Sequence, residues 1–327
     1  MSNLTSINEF DIIFISYDEP NADENYADLL SKCPWAKRSH GVEGSDAAHK
    51  AAAMLSETDR FITVDADNIV HGDFFDVQVD MSKVGQSDVI SWAGKNTING
   101  LVYGNGGIKC WPKHVVLNMK THESAPSNDP RAQVDFCWNI NYVQMNNIYC
   151  NVMNNGSPLQ AWRAGFREGV KMGLVDGDVV DPANLKKNVH GKNFKRLLTW
   201  MSVGEDVTNG LWAVYGSRLG CYMTNVVRTS WDWKNVRDFE WLNKFFMEEV
   251  FPDFEGGDEL CSRTGLQWDY DKLKEETVEM GKLLRQKLKL QIADLGPEGS
   301  DFFKEVYINP SRMAPQIRED QVENSIE

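Results

Sequence analysis

Phe61-Ile62-Thr63-Val64-Asp65-Ala66-Asp67-Asn68 is an apolar, β-branched run that ends on two carboxylates one residue apart. Led in by Arg60, it predicts a short buried strand. The same pattern occurs earlier in Phe10-Asp11-Ile12-Ile13-Phe14-Ile15-Ser16-Tyr17, where Asp18-Glu19-Pro20-Asn21 follows as turn chemistry. Between these runs, residues 25–33 predict a helix closed by Pro34, and residues 45–57, rich in Ala and Met, predict a second with Ser45 as N-cap. Strand, helix, helix, strand in so short a span points to α/β architecture with parallel strands, whose ligands bind beyond the carboxyl ends of the strands. The residues just past each strand are therefore the first functional candidates.

Working outward, residues 88–93 predict a further strand, residues 96–107 a loop rich in Gly and Asn, and residues 136–149 an aromatic segment of the same core. Past residue 159 the apolar spacing turns to three and four, in residues 159–172, 194–201, 207–214 and 239–250. Residues 269–295 form a long amphipathic stretch with Leu273, Met280, Leu284 and Leu288 on one side, suited to packing on the domain or to pairing with another subunit. After Pro310 the chain is polar and acidic and predicts a loose tail.

The 327 residues are 42% hydrophobic and 25% charged, with 11 Trp, 15 Phe and 9 Tyr, which excludes disorder as the main state. No apolar run is long enough to span a membrane, and the first residues lack the basic and apolar character of a secretory signal, so a cytoplasmic protein is expected. The six cysteines are scattered without zinc-ligand spacing and predict reduced, buried thiols. A net charge of -14 argues against a surface that attracts nucleic acid all over. Lys186, Lys187, Lys192, Lys195 and Arg196 nevertheless form a basic stretch with no acid among them, either a solvated face or a local groove.

Two strand-end carboxylates suit a hard divalent cation, Mn²⁺ or Mg²⁺, which offsets the charge on a departing diphosphate. An Asp-x-Asp is common and also serves as a capped turn; its place after a buried strand, about fifty residues beyond the end of the first one, makes it specific. In this arrangement residues 10–200 resemble the GT-A glycosyltransferases. The resemblance implies a Rossmann-like, mostly parallel central sheet in a catalytic domain over residues 1–205, a helical C-terminal region over 206–310 and a loose acidic tail over 311–327. It implies that Asp65 and Asp67 hold the metal and that Ser16, Tyr17 and Asp18 lie by the base and ribose of a UDP-sugar. Tyr17 would stack on the base, or is an ordinary strand-end aromatic.

His40-Gly41-Val42-Glu43-Gly44 and the helix from Ala47 to Ala53 look like the nucleotide-contacting loop and helix of transferases encoded by T-even-like and cyanobacterial phages. Lys50 would then meet a phosphate, the alternative being a solvent-facing lysine, while His49 reads as structural. Tyr103-Gly104-Asn105-Gly106-Gly107-Ile108 resembles the family's glycine loop, with Gly106 and Gly107 giving backbone access to the sugar, though it would also suit a hairpin. Asp135 stands where the family's catalytic acid often falls; a helix N-cap is its other reading, and Asp129 is the reserve. Val189-His190-Gly191-Lys192 resembles the late His-Gly-Lys region, which implies His190 as third metal ligand and Lys192 on the diphosphate. The full His-x-x-Gly-x-x-Lys spacing is missing, and a loop histidine is the alternative. Arg163 and Arg167, one helical turn apart, would order the site or the acceptor, or form an exposed face paired with Glu168.

Phage enzymes of this resemblance glycosylate 5-hydroxymethylcytosine in DNA, some with arabinose, so double-stranded DNA carrying that base is the expected acceptor and a UDP-pentose a plausible donor. The basic stretch and the aromatics Trp231 and Trp233, exposed or else core, would help extrude the base. A glycan or protein acceptor, and a silent nucleotide- or DNA-binding protein on the same scaffold, are the competing expectations.

Overall fold

The computed structural model describes residues 4–103, 107–121, 139–175, 177–227, 231–307 and 323–325. In chain order the first half contains β1 (Leu4–Ser6), β2 (Asp11–Ser16), α1 (Ala22–Lys32), β3 (Lys37–His40), α2 (Ser45–Leu55), β4 (Arg60–Asp65) and β5 (Asn68–Val70). It continues with β6 (Val77–Asp80), β7 (Val89–Asn96), β8 (Val102–Tyr103), β9 (Ile108–Pro112), α3 (Lys113–Asn118) and β10 (Tyr142–Val152). The main sheet runs β3-β2-β4-β9-β7-β10-β5, with β8 added on β7.

The two deciding runs form strands because both of their faces are buried. Ile12 and Phe14 of β2, with Ile62 and Val64 of β4, enter a core shared with α1 and with Phe74 and Trp92. Ile13 and Phe61 point the other way, to a core closed by Ala52 and Ala53 of α2 and by Trp111. Helices therefore cover both faces, as a continuous apolar strand requires. Helix α1 carries Asp23 and Glu24 in its first turn and Lys32 in its last, matching its dipole, and stops at Cys33 before Pro34. Helix α2 begins at Ser45, but its N-cap is Gly44 at φ 87°, not Ser45 as expected.

The expected mostly parallel sheet is corrected: it is mixed. Strands β2/β3, β2/β4 and β7/β10 pair in parallel. Strands β4/β9, β7/β9, β7/β8 and β10/β5 are antiparallel. Connection length accounts for the pairs made by β7 with β8 and β9, since parallel neighbours need a crossover of a dozen residues or so. There the chain from β7 turns back through β8 to β9 without a helix.

The second half is α4 (Pro158–Lys171), the hairpin β11 (Leu174–Val175) and β12 (Asp178–Val179), α5 (Leu185–Asn188), α6 (Gly191–Trp200) and α7 (Gly210–Tyr222). Next come α8 (Phe239–Phe245), the hairpin β13 (Glu255–Leu260) and β14 (Gln267–Trp268), α9 (Tyr270–Leu288) and α10 (Gly296–Val306). These helices share a third core around Trp162, Phe166, Trp200, Trp212 and Phe246, which straddles residue 205 and takes in Ile98 and Leu101 from the sheet half. Arg218 on α7 is 1% exposed and bonds the carbonyls of Met201, Thr277 and Ala293 and the carboxylate of Asp294, tying α7 to α9. Part of the expected loose tail is a strand: β15 (Glu323–Ser325) pairs with β6, which also pairs with β1, and so fills an otherwise open edge. Cys33, Cys110, Cys150, Cys221 and Cys261 are free and buried. Among the described residues no helix is long and apolar enough to cross a membrane.

Candidate functional site

Strand β2 leads to β3 on one side of it, and β3 leads back to β4 on the other. The chain thus reverses its direction of winding across β2 and β4, and the carboxyl ends of such a strand pair bracket a crevice. Asp18 and Glu19 follow β2; Asp65 ends β4 and Asp67 comes just after it. Topology alone brings these four acidic residues to the same end of the sheet.

Their environment is tight. Asn68 donates from Nδ2 to Asp67 Oδ1 at 2.6 Å and accepts from the Gly107 amide at 3.3 Å. The Asp65 amide donates to the Gly107 carbonyl at 3.0 Å. A Cβ on Gly107 would stand 2.7 Å from Asp65 Cβ, so only glycine fits between the strand-end acids and β9. Asn25 Nδ2 of α1 bonds the Ala66 carbonyl at 2.8 Å, and the Met153 amide bonds the Asp67 carbonyl at 2.5 Å, so the turn between the two aspartates is pinned from both sides.

Asp67 is half-buried, and its carboxyl is pushed up to about 7, first by burial and then by the charges of Asp65 and Glu19. Burial also raises Glu19, with Asp18 and Asp65 adding to the effect, although the Tyr17 amide donates to Glu19 Oε2 at 2.8 Å. Arg163 of α4 lies within the field of this group. Burial and the neighbouring Arg167 lower its guanidinium to about 10, while Asp18, Glu19 and Asp67 hold it up. Among the described residues the mutual repulsion of Asp65, Glu19 and Asp67 favours uptake of a proton or a cation there.

Among the described residues no three His, Cys, Asp and Glu side chains are gathered as a metal-binding group, so the trio Asp65, Asp67 and His190 is not assembled. His190 instead caps its own helix, Nδ1 accepting the Lys192 amide at 3.3 Å at the start of α6, where both side chains are exposed. An N-cap role satisfies backbone donors that a histidine turned into the recess would abandon. The strand-end carboxylates still fit a Mg²⁺ or Mn²⁺ ion, because such ions are commonly held by one or two carboxylates with water and substrate phosphate completing the shell.

The other expected residues fall as follows. Ser16 is buried, its hydroxyl 2.9 Å from His40 Nδ1 and accepting from Arg38 Nε at 2.8 Å, so it organises the end of β2. Tyr17 is 47% exposed and Asp18 is exposed, both at the rim. Lys50 is half-buried on α2. His49 is buried edge-on to Trp111, its ring Nδ1 2.9 Å from the Ser45 carbonyl. Gly106, Asp129 and Asp135 lie outside the described residues.

Trp231 and Trp233 are half-buried against the helical core rather than exposed, with Trp231 packed on Phe166 and stacked on Trp241. Glu168 pairs with Lys171, and the guanidiniums of Arg163 and Arg167 lie over Phe239. Glu19 was missed, because in sequence it reads as turn chemistry. Its only signal was its place directly after a buried strand.

No family model matches the chain, and neither a curated protein nor a solved structure shows significant similarity to it.

Proposed function

We propose that the protein is a metal-dependent glycosyltransferase of the GT-A type that moves a sugar from a nucleotide donor to a hydroxyl acceptor. The carrying observation is that Asp18, Glu19, Asp65 and Asp67 all lie at the carboxyl ends of β2 and β4, at the switch point of the sheet, with Asp67 pushed up to about 7. A divalent cation held there would neutralise the charge growing on a leaving nucleoside diphosphate. Asp65 and Asp67 supply oxygen donors to it, and Asn68 fixes the Asp67 carboxylate. Gly107 keeps the space beside Asp65 free of a side chain. Tyr17, at the exposed rim past β2, offers a ring to a nucleobase.

The acceptor we favour is 5-hydroxymethylcytosine in DNA, with arabinose or another UDP-linked sugar as the donor group. A glycan or protein acceptor is the second reading, supported by the net charge of -14. Radiolabelled sugar transfer with Mn²⁺, run on hydroxymethylated DNA, unmodified DNA and a glycan mixture, separates the two. The expected result is label in hydroxymethylated DNA alone, abolished by chelator and lowered about a hundredfold or more by Asp67→Ala. Donor turnover that ignores both chelator and Asp67→Ala would overturn the metal-dependent reading, and absence of any turnover would leave the silent binding protein standing.

A further inference from the structure

The basic stretch of the sequence folds into a two-sided unit. Helices α5 and α6 turn Leu185, Val189, Phe194 and Leu197 into the helical core, and their other side exposes Lys186, Lys187, Lys192 and Lys195. The side chains exposed among these lysines are Asn188 and His190, so the face carries neither an acid nor a large apolar group. Several lysines elsewhere are answered by carboxylates: Lys32 by Asp28, Lys171 by Glu168, Lys274 by Glu205 and Lys304 by Asp206. The four on α5 and α6 form no ion pair among the described residues. The acids that flank the stretch in sequence are engaged. Asp181 caps the turn before α5, accepting the Ala183 amide at 3.2 Å and Asn184 Nδ2 at 2.7 Å. Glu205 accepts from Tyr270 and Lys274, and Asp206 pairs with Lys304. Lys192 also stands in the first turn of α6, where the helix dipole is positive and no acid offsets it. Like charges crowded in this way cost free energy that an external polyanion offsets.

We propose that the exposed face of α5 and α6 is a docking surface for the phosphate backbone of duplex DNA, gripped by Lys186, Lys187, Lys192 and Lys195 without regard to sequence. Lysine is a compact point charge that lacks the planar fork suited to a carboxylate, and it takes phosphate oxygens from any direction. A duplex carries one negative charge per ~1.7 Å of its axis, so each lysine meets a phosphate in any register. A single strand needs aromatic platforms for its bases, and a stable hold on an acidic membrane takes inserted apolar side chains as well; this face offers neither. The net charge of -14 does not forbid docking, because at physiological salt a charge is felt over about 8 Å. Phosphate contacts of this kind position a duplex and leave its bases unread. That the docked duplex is also the sugar acceptor rests on the glycosyltransferase reading, whereas docking itself does not.

The test is fluorescence anisotropy of the full chain with a labelled, unmodified DNA duplex, without sugar donor, across a salt series. One variant joins Lys186→Gln to Lys187→Gln, a second joins Lys192→Gln to Lys195→Gln, and a third combines all four. The control joins Lys244→Gln to Lys282→Gln, which removes two lysines from exposed ion pairs elsewhere. Each protein is checked by thermal melting. Wild-type binding should fall with salt at a log–log slope of about -3 to -4. Each double variant should flatten that slope by about 2, and the fourfold variant should bind about a hundredfold or more weaker at low salt. The control should stay within about threefold of wild type. A single strand of equal length and vesicles of anionic phospholipid should compete poorly. Wild-type protein that ignores the duplex, a fourfold variant that binds like wild type, or a control that weakens as much would overturn the surface. Competition by the single strand or the vesicles as strong as by the duplex would overturn the partner named. Sugar transfer measured separately tells these failures apart from failure of the catalytic reading, because docking is read on unmodified DNA without turnover.

Discussion

Asp67 is pressed from an ordinary 3.8 to about 7 by burial and by two neighbouring carboxylates, and this sets a pH dependence of definite sign. Between those values the folded protein holds a proton that the unfolded chain releases, so the stability this proton supplies is complete below about pH 4 and is lost as pH rises through about 7. Asp67→Asn removes the dependence. Its melting temperature should gain on wild type between pH 5 and pH 8, and a difference that stays constant across that range would refute the cause given. A cation competes with the same proton, so the rise in melting temperature on adding Mn²⁺ should be larger at pH 8 than at pH 5. At this scale the sequence disclosed Asp65 and Asp67, because a hydrophobic run marks its own end. It could not disclose Glu19 as their neighbour, since Glu19 sits in a turn, and it offered Arg163 only as half of a helical pair that would order the site or the acceptor. His190, assigned by likeness of motif, turned out to satisfy its own helix, a local demand that motif spacing does not show.

Helices α4 and α7 are joined by an interlock of small residues. A Cβ on Gly165 would run into the Ala213 carbonyl, and one on Gly169 into that of Ser217. From the other side, Gly216 and Gly220 face the carbonyls of Trp162 and Phe166. Backbones this close leave no room for a methyl group, and overpacking costs about 1–3 kcal/mol, here against backbone that cannot rotate away. Gly165→Ala and Gly169→Ala should each lower unfolding free energy in urea titrations by at least that range. Gly191→Ala, at an open position at the start of α6, should leave stability unchanged or raise it by a few tenths of a kcal/mol to about 1 kcal/mol. A neutral Gly169→Ala would refute the interlock. The periodicity of α4 and α7 was readable, since it depends on residues of one helix. The partnership was not, because the glycines pair across more than forty residues and single-helix patterns carry no record of a partner. Two of the antiparallel strands escaped for a related reason: β5 and β8 are three and two residues long, too short to show any alternation.

The molecule has cores on both faces of the sheet and a third among the helices, and the segment after β7 is where sheet and helices are stitched together. Asn96 ends β7 and its Oδ1 accepts the Ile98 amide at 2.9 Å, while the Thr97 amide reaches the Val152 carbonyl of β10 at 3.1 Å. Ile98 itself is fully buried in the helical core, where its side chain limits the space beside Gly204. Lys304 of α10 bonds the Thr97 carbonyl at 3.3 Å and pairs with Asp206, closing the seam from the far end of the chain. A segment that is strand at one end and helical core at the other cannot let go of one unit without disturbing its neighbour. Ile98→Ala should therefore cost about 2–5 kcal/mol, and the loss should be shared. Native-state hydrogen exchange is the measurement: amides of β7 and β9 in the sheet and of α7 in the helices should lose protection by the same amount. Loss confined to α7 would mean that the helices open alone. The recess would then lose Arg163, which α4 supplies, while its four carboxylates stayed on a folded sheet. Equal loss ties the acids and the arginine to one cooperative unit, the condition under which the strand ends and α4 keep a fixed geometry.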